Sequence, residues 1–189
     1  EPANWFAHLT YLRPHPPLVA PTPYNTLYDP QKLPLPHRLH SQAAEEAVHP
    51  FFAPMFDSAT PADFVSGMPD LKPDKGIVQA LRAVYLGLAS EVDFHIGREV
   101  TDLKQAGRYE DTLVIITADH GEMLGDRHAW GKMSVYNAAY HTPLIIRAPE
   151  LQAQSGMQVQ LQTESVDIAP TILDWIGSDI PNSMDGRSL

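Results

Sequence analysis

A chain of 189 residues can bury one substantial core, so its length allows a single domain and does not require two. Its 23 acidic side chains against 13 basic ones give a formal charge of −10. That excludes a broad basic face for nucleic acid or an anionic membrane, but not a small anionic substrate held by a metal and one or two cations. The absence of cysteine excludes disulfides and thiolate metal sites, and no apolar run approaches the length of a bilayer span.

Residues 4–12 (NWFAHLTYL) are aromatic, apolar and bounded by proline, which predicts a strand. Half of the 18 prolines then fall within the first 36 residues, so the stretch from Arg13 to Pro36 is predicted as an extended loop. His15 lies in it, either as an exposed, turn-capping histidine or as a functional one. His37, His40 and His49 read as structural or solvent-facing. Residues 38–48 (RLHSQAAEEAV) favour a helix ended by Pro50, and residues 50–73 read as irregular.

From Asp74 the apolar residues Ile77, Leu81, Val84, Tyr85, Leu88, Val92, Ile96, Val100 and Leu103 recur every three or four positions. This predicts a long amphipathic helix, N-capped by Asp74 and closed at Gly107, its stripe packed on a sheet. Asp93 and Arg98 are assigned to packing and pairing on that helix. Residues 112–118 predict a buried strand, its β-branched run apolar on both faces as in the centre of a helix-covered sheet. The fold class is therefore α/β, with a mostly parallel central sheet flanked by helices.

Directly after this strand come Asp119, His120, Gly121 and Glu122. Ligands collect beyond the carboxyl ends of strands in open α/β sheets, and a carboxylate beside an imidazole suits a divalent metal. Gly121 lets the backbone turn away without steric penalty. The competing reading makes Asp119 the cap of a helical turn, with His120 as its satisfied neighbour. Gly125-Asp126 marks a turn, and His128 to Lys132 a short loop in which Lys132 could be an ordinary exposed lysine. Residues 143–147 predict a further strand and residues 157–163 an edge strand. Ser165-Val166-Asp167 leads into a helix through Ile176 ended by Gly177, with Asp167 favoured by the helix dipole.

Taken together, these motifs resemble the sulfatase and phosphonate monoester hydrolase branch of the alkaline phosphatase superfamily. The likeness extends from the Asp119-His120 block to Tyr85, Val92-Asp93, Gly97-Arg98, Gly107 and Asp111-Thr112-Leu113. It continues through Thr142-Pro143-Leu144-Ile145-Ile146-Arg147, Val166 to Thr171 and Asp185 to Leu189. Trp5-Phe6 and Arg13-Pro14-His15-Pro16-Pro17 are most similar to the phosphonate monoester hydrolase group.

The resemblance implies one partial domain over residues 1–189, with a Pro-rich loop and short helix over 13–73 and an α/β core over 74–189. It implies Asp119 and His120 as metal ligands for Mn, Ca or Zn, Lys132 as a contact to the transferred anionic group, and His15 as partner of the leaving oxygen. His128 is less firmly placed, because Arg127 and Ala129 depart from the commoner wording. A first strand rich in aspartate and a Cys- or Ser-x-Pro-x-Arg nucleophile, oxidised to formylglycine, are expected upstream of residue 1.

The expected function is thus part of a metal-dependent hydrolase of sulfate or phosphonate/phosphate esters, inactive by itself. The alternatives are a phosphoryl-transfer mutase of the same superfamily and a non-catalytic interaction module that keeps the fold. Expected partners are a small anionic ester and further copies of the chain, with no nucleic acid and no membrane. The chain opens Glu1-Pro2 without a methionine or a signal-peptide pattern. Its native start is therefore expected upstream and its location is unknown, bacterial cytoplasm being the expectation.

Overall fold

A computed structural model describes residues 4–189, the side chains of residues 152–154 excepted. The chain divides into two compact units, one formed by residues up to 112 together with 116–144, the other by 113–115 together with 145–189.

In the first unit, residues 4–12 form no strand. Trp5, Phe6, Leu9 and Leu12 are exposed, and no neighbouring strand among the described residues pairs with this segment. The proline-rich stretch that follows is a loop tightened by 3-10 turns at Tyr24–Thr26 and Pro30–Lys32, the second capped by Asp29. Helix α1 covers Gln42–Glu46, with the Ser41 hydroxyl accepting from the Ala44 N–H. It is shorter than predicted because residues 37–39 are bonded elsewhere. The His37 N–H donates to Asp126 and the Leu39 N–H to the buried Glu45 carboxylate. Short turns follow, including α2 over Ala53–Phe56 and a capping box at Thr60 and Asp63.

Helix α3 runs over Lys75–Gln105, capped by the Asp74 carboxylate on the Ile77 N–H at 2.8 Å; just beyond its end Gly107 takes a φ of 66°. Its buried face is contributed by the first half of the helix: Val78, Leu81 and Leu88 join Leu18, Phe64, Leu124 and Trp130 in one core. The stripe thus packs on the proline-rich loop and the turns, and not on a sheet as the sequence predicted. Proline fixes the loop's φ angles at little entropic cost, which makes an irregular segment a usable packing surface. A second core in the same unit gathers Met55, Phe56, Met123, Ala129 and Ala139.

Strand β1 covers Val114–Thr117, helix α4 Asn137–Tyr140 and strand β2 Leu144–Arg147. β1 and β2 form a two-stranded sheet. The chain is α/β as predicted, but a mostly parallel central sheet is not laid out among the described residues, which supply two strands. The predicted edge strand over 157–163 is also absent; Met157, Val159 and Leu161 are exposed and unpaired with any strand.

In the second unit, a 3-10 turn at Ser165–Asp167 leads into α5, Ile168–Trp175, with Gly177 following at a φ of 73°. The buried Asp167 does more than meet the helix dipole. Its carboxylate accepts the N–H groups of Glu164 and Arg187, both at 2.9 Å, and these bonds hold it below the usual aspartate range. The chain end is thereby tied to α5, and the Leu189 N–H adds a bond to the Thr171 hydroxyl.

Candidate active site

Ala118 follows β1, the backbone bends at Asp119, and His120 comes next without helix. The helix-cap reading of Asp119 therefore fails: its Oδ1 accepts the N–H of the adjacent His120 at 3.0 Å instead. Gly121 is required here. A Cβ at this position would collide with the Ala138 carbonyl oxygen, which no backbone shift of a tenth of an ångström would relieve. The approach is close because the Gly121 N–H donates to the Ala139 carbonyl at 2.7 Å and the Glu122 N–H to Ala138 at 2.8 Å. These bonds dock the turn onto α4.

The imidazole of His120 is oriented by its own neighbour. Its Nδ1 lies 2.8 Å from the Gly121 carbonyl, and a carbonyl only accepts, so Nδ1 carries the proton. In the neutral ring Nε2 then presents a lone pair. That lone pair accepts from the Lys132 Nζ at 2.7 Å, and the exposed Asp119 Oδ2 stands 3.4 Å from the same nitrogen. Three residues of the sequence motif thus meet at one point, with the imidazole nitrogen set between an ammonium and a carboxylate oxygen.

A divalent cation fits this donor set. A ring N–H bonded to a backbone carbonyl is the orientation that ligating histidines adopt, and the opposite nitrogen, which here accepts from Lys132, is the one a metal would take. Among the described residues no group of three or more His, Asp and Glu side chains stands together, so two donors are what this site offers. His15 is not joined to the cluster by any hydrogen bond among the described residues. It is exposed, its Nδ1 is bonded to the Pro16 carbonyl at 2.7 Å, and its main chain is held by Arg13, whose Nη1 donates to the carbonyls of His15 and Pro17.

The loop between the metal-type pair and Lys132 is anchored twice. Met123 and Ala129 enter one core while Leu124 and Trp130 enter the other. Between these anchors Leu124, Gly125, Arg127 and His128 all take positive φ. Such strain persists only where surrounding contacts over-determine it. Here Arg82 donates to the Leu124 carbonyl and pairs with Asp126 at 3.2 Å, the Arg127 N–H donates to the His37 carbonyl, and the His128 Nε2 donates to the Leu39 carbonyl. His128 is thereby spent on the scaffold.

Sequence reasoning assigned no role to Glu122 and placed Tyr85 in the apolar stripe of α3 and in the family likeness alone. Glu122 is largely buried, and burial raises its carboxyl above the usual range while backbone N–H donors pull it back. Tyr85 on α3 is pushed up to about 12, first by burial and then by the negative charge of Glu122. An acidic residue two places after a histidine was the one available signal, and its partners are visible only once the loop has folded.

The family model described as Sulfatase matches residues 2–178. The multifunctional alkaline phosphatase superfamily protein PehA of Trinickia caryophylli is 38% identical over 187 residues, which are 98% of this chain and 36% of that protein. Arylsulfatase K of Bos taurus is 38% identical over 112 residues, 59% of this chain and 20% of that protein. Among solved structures, the phosphonate monoester hydrolase SpPMH from Silicibacter pomeroyi superposes with a TM-score of 0.92 at 64% identity, over 98% of this chain and 36% of that one. The phosphonate monoester hydrolase of Agrobacterium radiobacter gives a TM-score of 0.92 at 39% identity, over 100% of this chain and 38% of that one. The chain spans little more than a third of the length of the relatives it matches end to end.

Proposed function

The chain belongs to the sulfatase family, and on that premise we propose that it supplies part of the active site of a metal-dependent hydrolase of sulfate or phosphonate esters. A phosphonate monoester is the favoured substrate, because the 64%-identical relative bears that activity in its name. The observation that carries the reading is the meeting of Lys132 Nζ, His120 Nε2 and Asp119 Oδ2.

Asp119 and His120 would hold a divalent ion, which when bound supplies Lewis-acid polarisation of the ester's non-bridging oxygen. Lys132 neutralises the charge that builds on those oxygens in the transition state, where a positioned cation acts most strongly. His15 partners the leaving oxygen. With Nδ1 engaged by the Pro16 carbonyl, Nε2 is the nitrogen from which its imidazolium gives a proton to the departing alkoxide. The 189 residues hold no cysteine, and no serine or threonine in an x-Pro-x-Arg frame. The chain by itself is therefore expected not to turn over these esters.

The test is hydrolysis of aryl and alkyl phosphonate monoesters and of aryl sulfate by the protein at the full length of its relatives. K132M is expected to lower kcat/KM about 100-fold. H15A is expected to slow alkyl esters more than nitrophenyl esters, whose leaving group needs no proton. Wild-type rates in H120A or K132M would overturn the reading.

A further inference from the structure

Lys132 has a long, flexible side chain, so its meeting with His120 depends on where its backbone begins. That backbone is fixed from one side by a carboxylate. Glu122 Oε1 accepts the Gly131 N–H at 2.7 Å and the Leu124 N–H at 3.3 Å. Gly131 is held at its other end as well, its carbonyl accepting the Met123 N–H at 2.9 Å. One side chain therefore closes the loop from 122 to 131. It sits two residues beyond the imidazole that the lysine meets, and the amide it grips is one residue before the lysine itself.

We propose that Glu122 is a positioning residue: its carboxylate oxygen, by holding the Gly131 N–H, sets Lys132 against the His120 and Asp119 pair. The inference rests on the site reading above for its catalytic meaning, but not for its geometry. What matters is an acceptor oxygen at that reach, not a negative charge as such. Glu122 touches neither substrate nor metal in this scheme, and acts through the Gly131 backbone.

The variants that separate these ideas are E122Q, which keeps the acceptor oxygen and removes the charge, and E122D, which keeps the charge and draws the oxygen back by one methylene. Two readouts apply to the chain itself: the ring nitrogen signals of His120 in a long-range proton–nitrogen spectrum, and hydrogen exchange of the Gly131 amide. Relative to wild type, K132M should shift the Nε2 signal. E122Q should match wild type in both readouts. E122D should move Nε2 to the K132M position, with no further change in the double variant, and the Gly131 amide should exchange about tenfold faster.

E122D behaving as wild type, or E122Q failing where E122D holds, would overturn the proposal. Should E122D lose its fold, the unmutated chain still decides, because a Gly131 amide exchanging as fast as exposed loop amides would refute the clamp. In the full-length enzyme, kcat should follow the same order, Glu equal to Gln and above Asp. Unchanged kcat alongside the spectral change would sink the hydrolase reading and leave the positioning intact.

Discussion

An imidazole has two nitrogens, and the bond made by one decides what the other can do. In His120 the Nδ1 proton is donated to the Gly121 carbonyl, so Nε2 accepts from Lys132, with the Asp119 carboxylate beside it. Contiguity made the Asp119 and His120 pair readable in the chain, since adjacent residues at a strand end cannot be far apart. The Lys132 contact was available only through the family likeness, because it lies twelve positions beyond His120 across a loop. Glu122 was readable only as an acidic residue two places after a histidine: its three-dimensional partners are backbone groups, which leave no mark on composition. Burial, and after it the charge of Glu122, has a measurable consequence at Tyr85. The phenol ionises near 10 in an unfolded chain and at about 12 in the fold. Between those values the native state keeps a proton that the unfolded state has lost, so stability falls as pH rises through that window. In Y85F this alkaline decline of the melting temperature is expected to flatten, with wild-type tyrosinate absorbance appearing late. Equal declines in the two proteins would contradict it.

At the scale of elements, α3 was legible almost to the residue, because a 31-residue periodicity with a capping aspartate and a closing glycine carries its own punctuation. Its packing partner was not legible. Periodicity says that a stripe is buried and is silent on what covers it. The proline-rich loop does so, through Leu18 and the turn at Tyr24–Thr26. The predicted strands over 4–12 and 157–163 failed for a related reason. A strand exists through its ladder, and an apolar or alternating segment with no neighbour stays extended and unpaired. The close approach of the loop to α3 yields a contrast within one helix. At Gly87 a Cβ would strike the Tyr24 carbonyl oxygen, whereas at Gly97 it would meet nothing within 4 Å. G87A is expected to destabilise the chain by about 1–3 kcal/mol as the loop is forced away. G97A is expected to stabilise it by about 0.5–1 kcal/mol, as alanine does in an open helix interior. Denaturant midpoints measure both, and a shift of the same sign in the two variants would rule out the packing described.

For the whole molecule, α/β class and family membership were both within reach of the sequence, since motifs spread from the opening segment to Leu189 match one family. The extent of the sheet was not, as two strands do not make the broad parallel layer that the family pattern suggested. With a net charge of −10, the chain must concentrate its cations where they are used. Lys132 beside His120 and Asp119 is such a place, and it is also the point on which the functional account turns. The most direct test is a manganese titration of the chain followed by paramagnetic broadening of its amide and imidazole signals. The account predicts that Asp119 and His120 broaden first, and that D119N and H120A each weaken binding about tenfold or more. Broadening spread over surface carboxylates, with the two variants titrating as wild type, would contradict it.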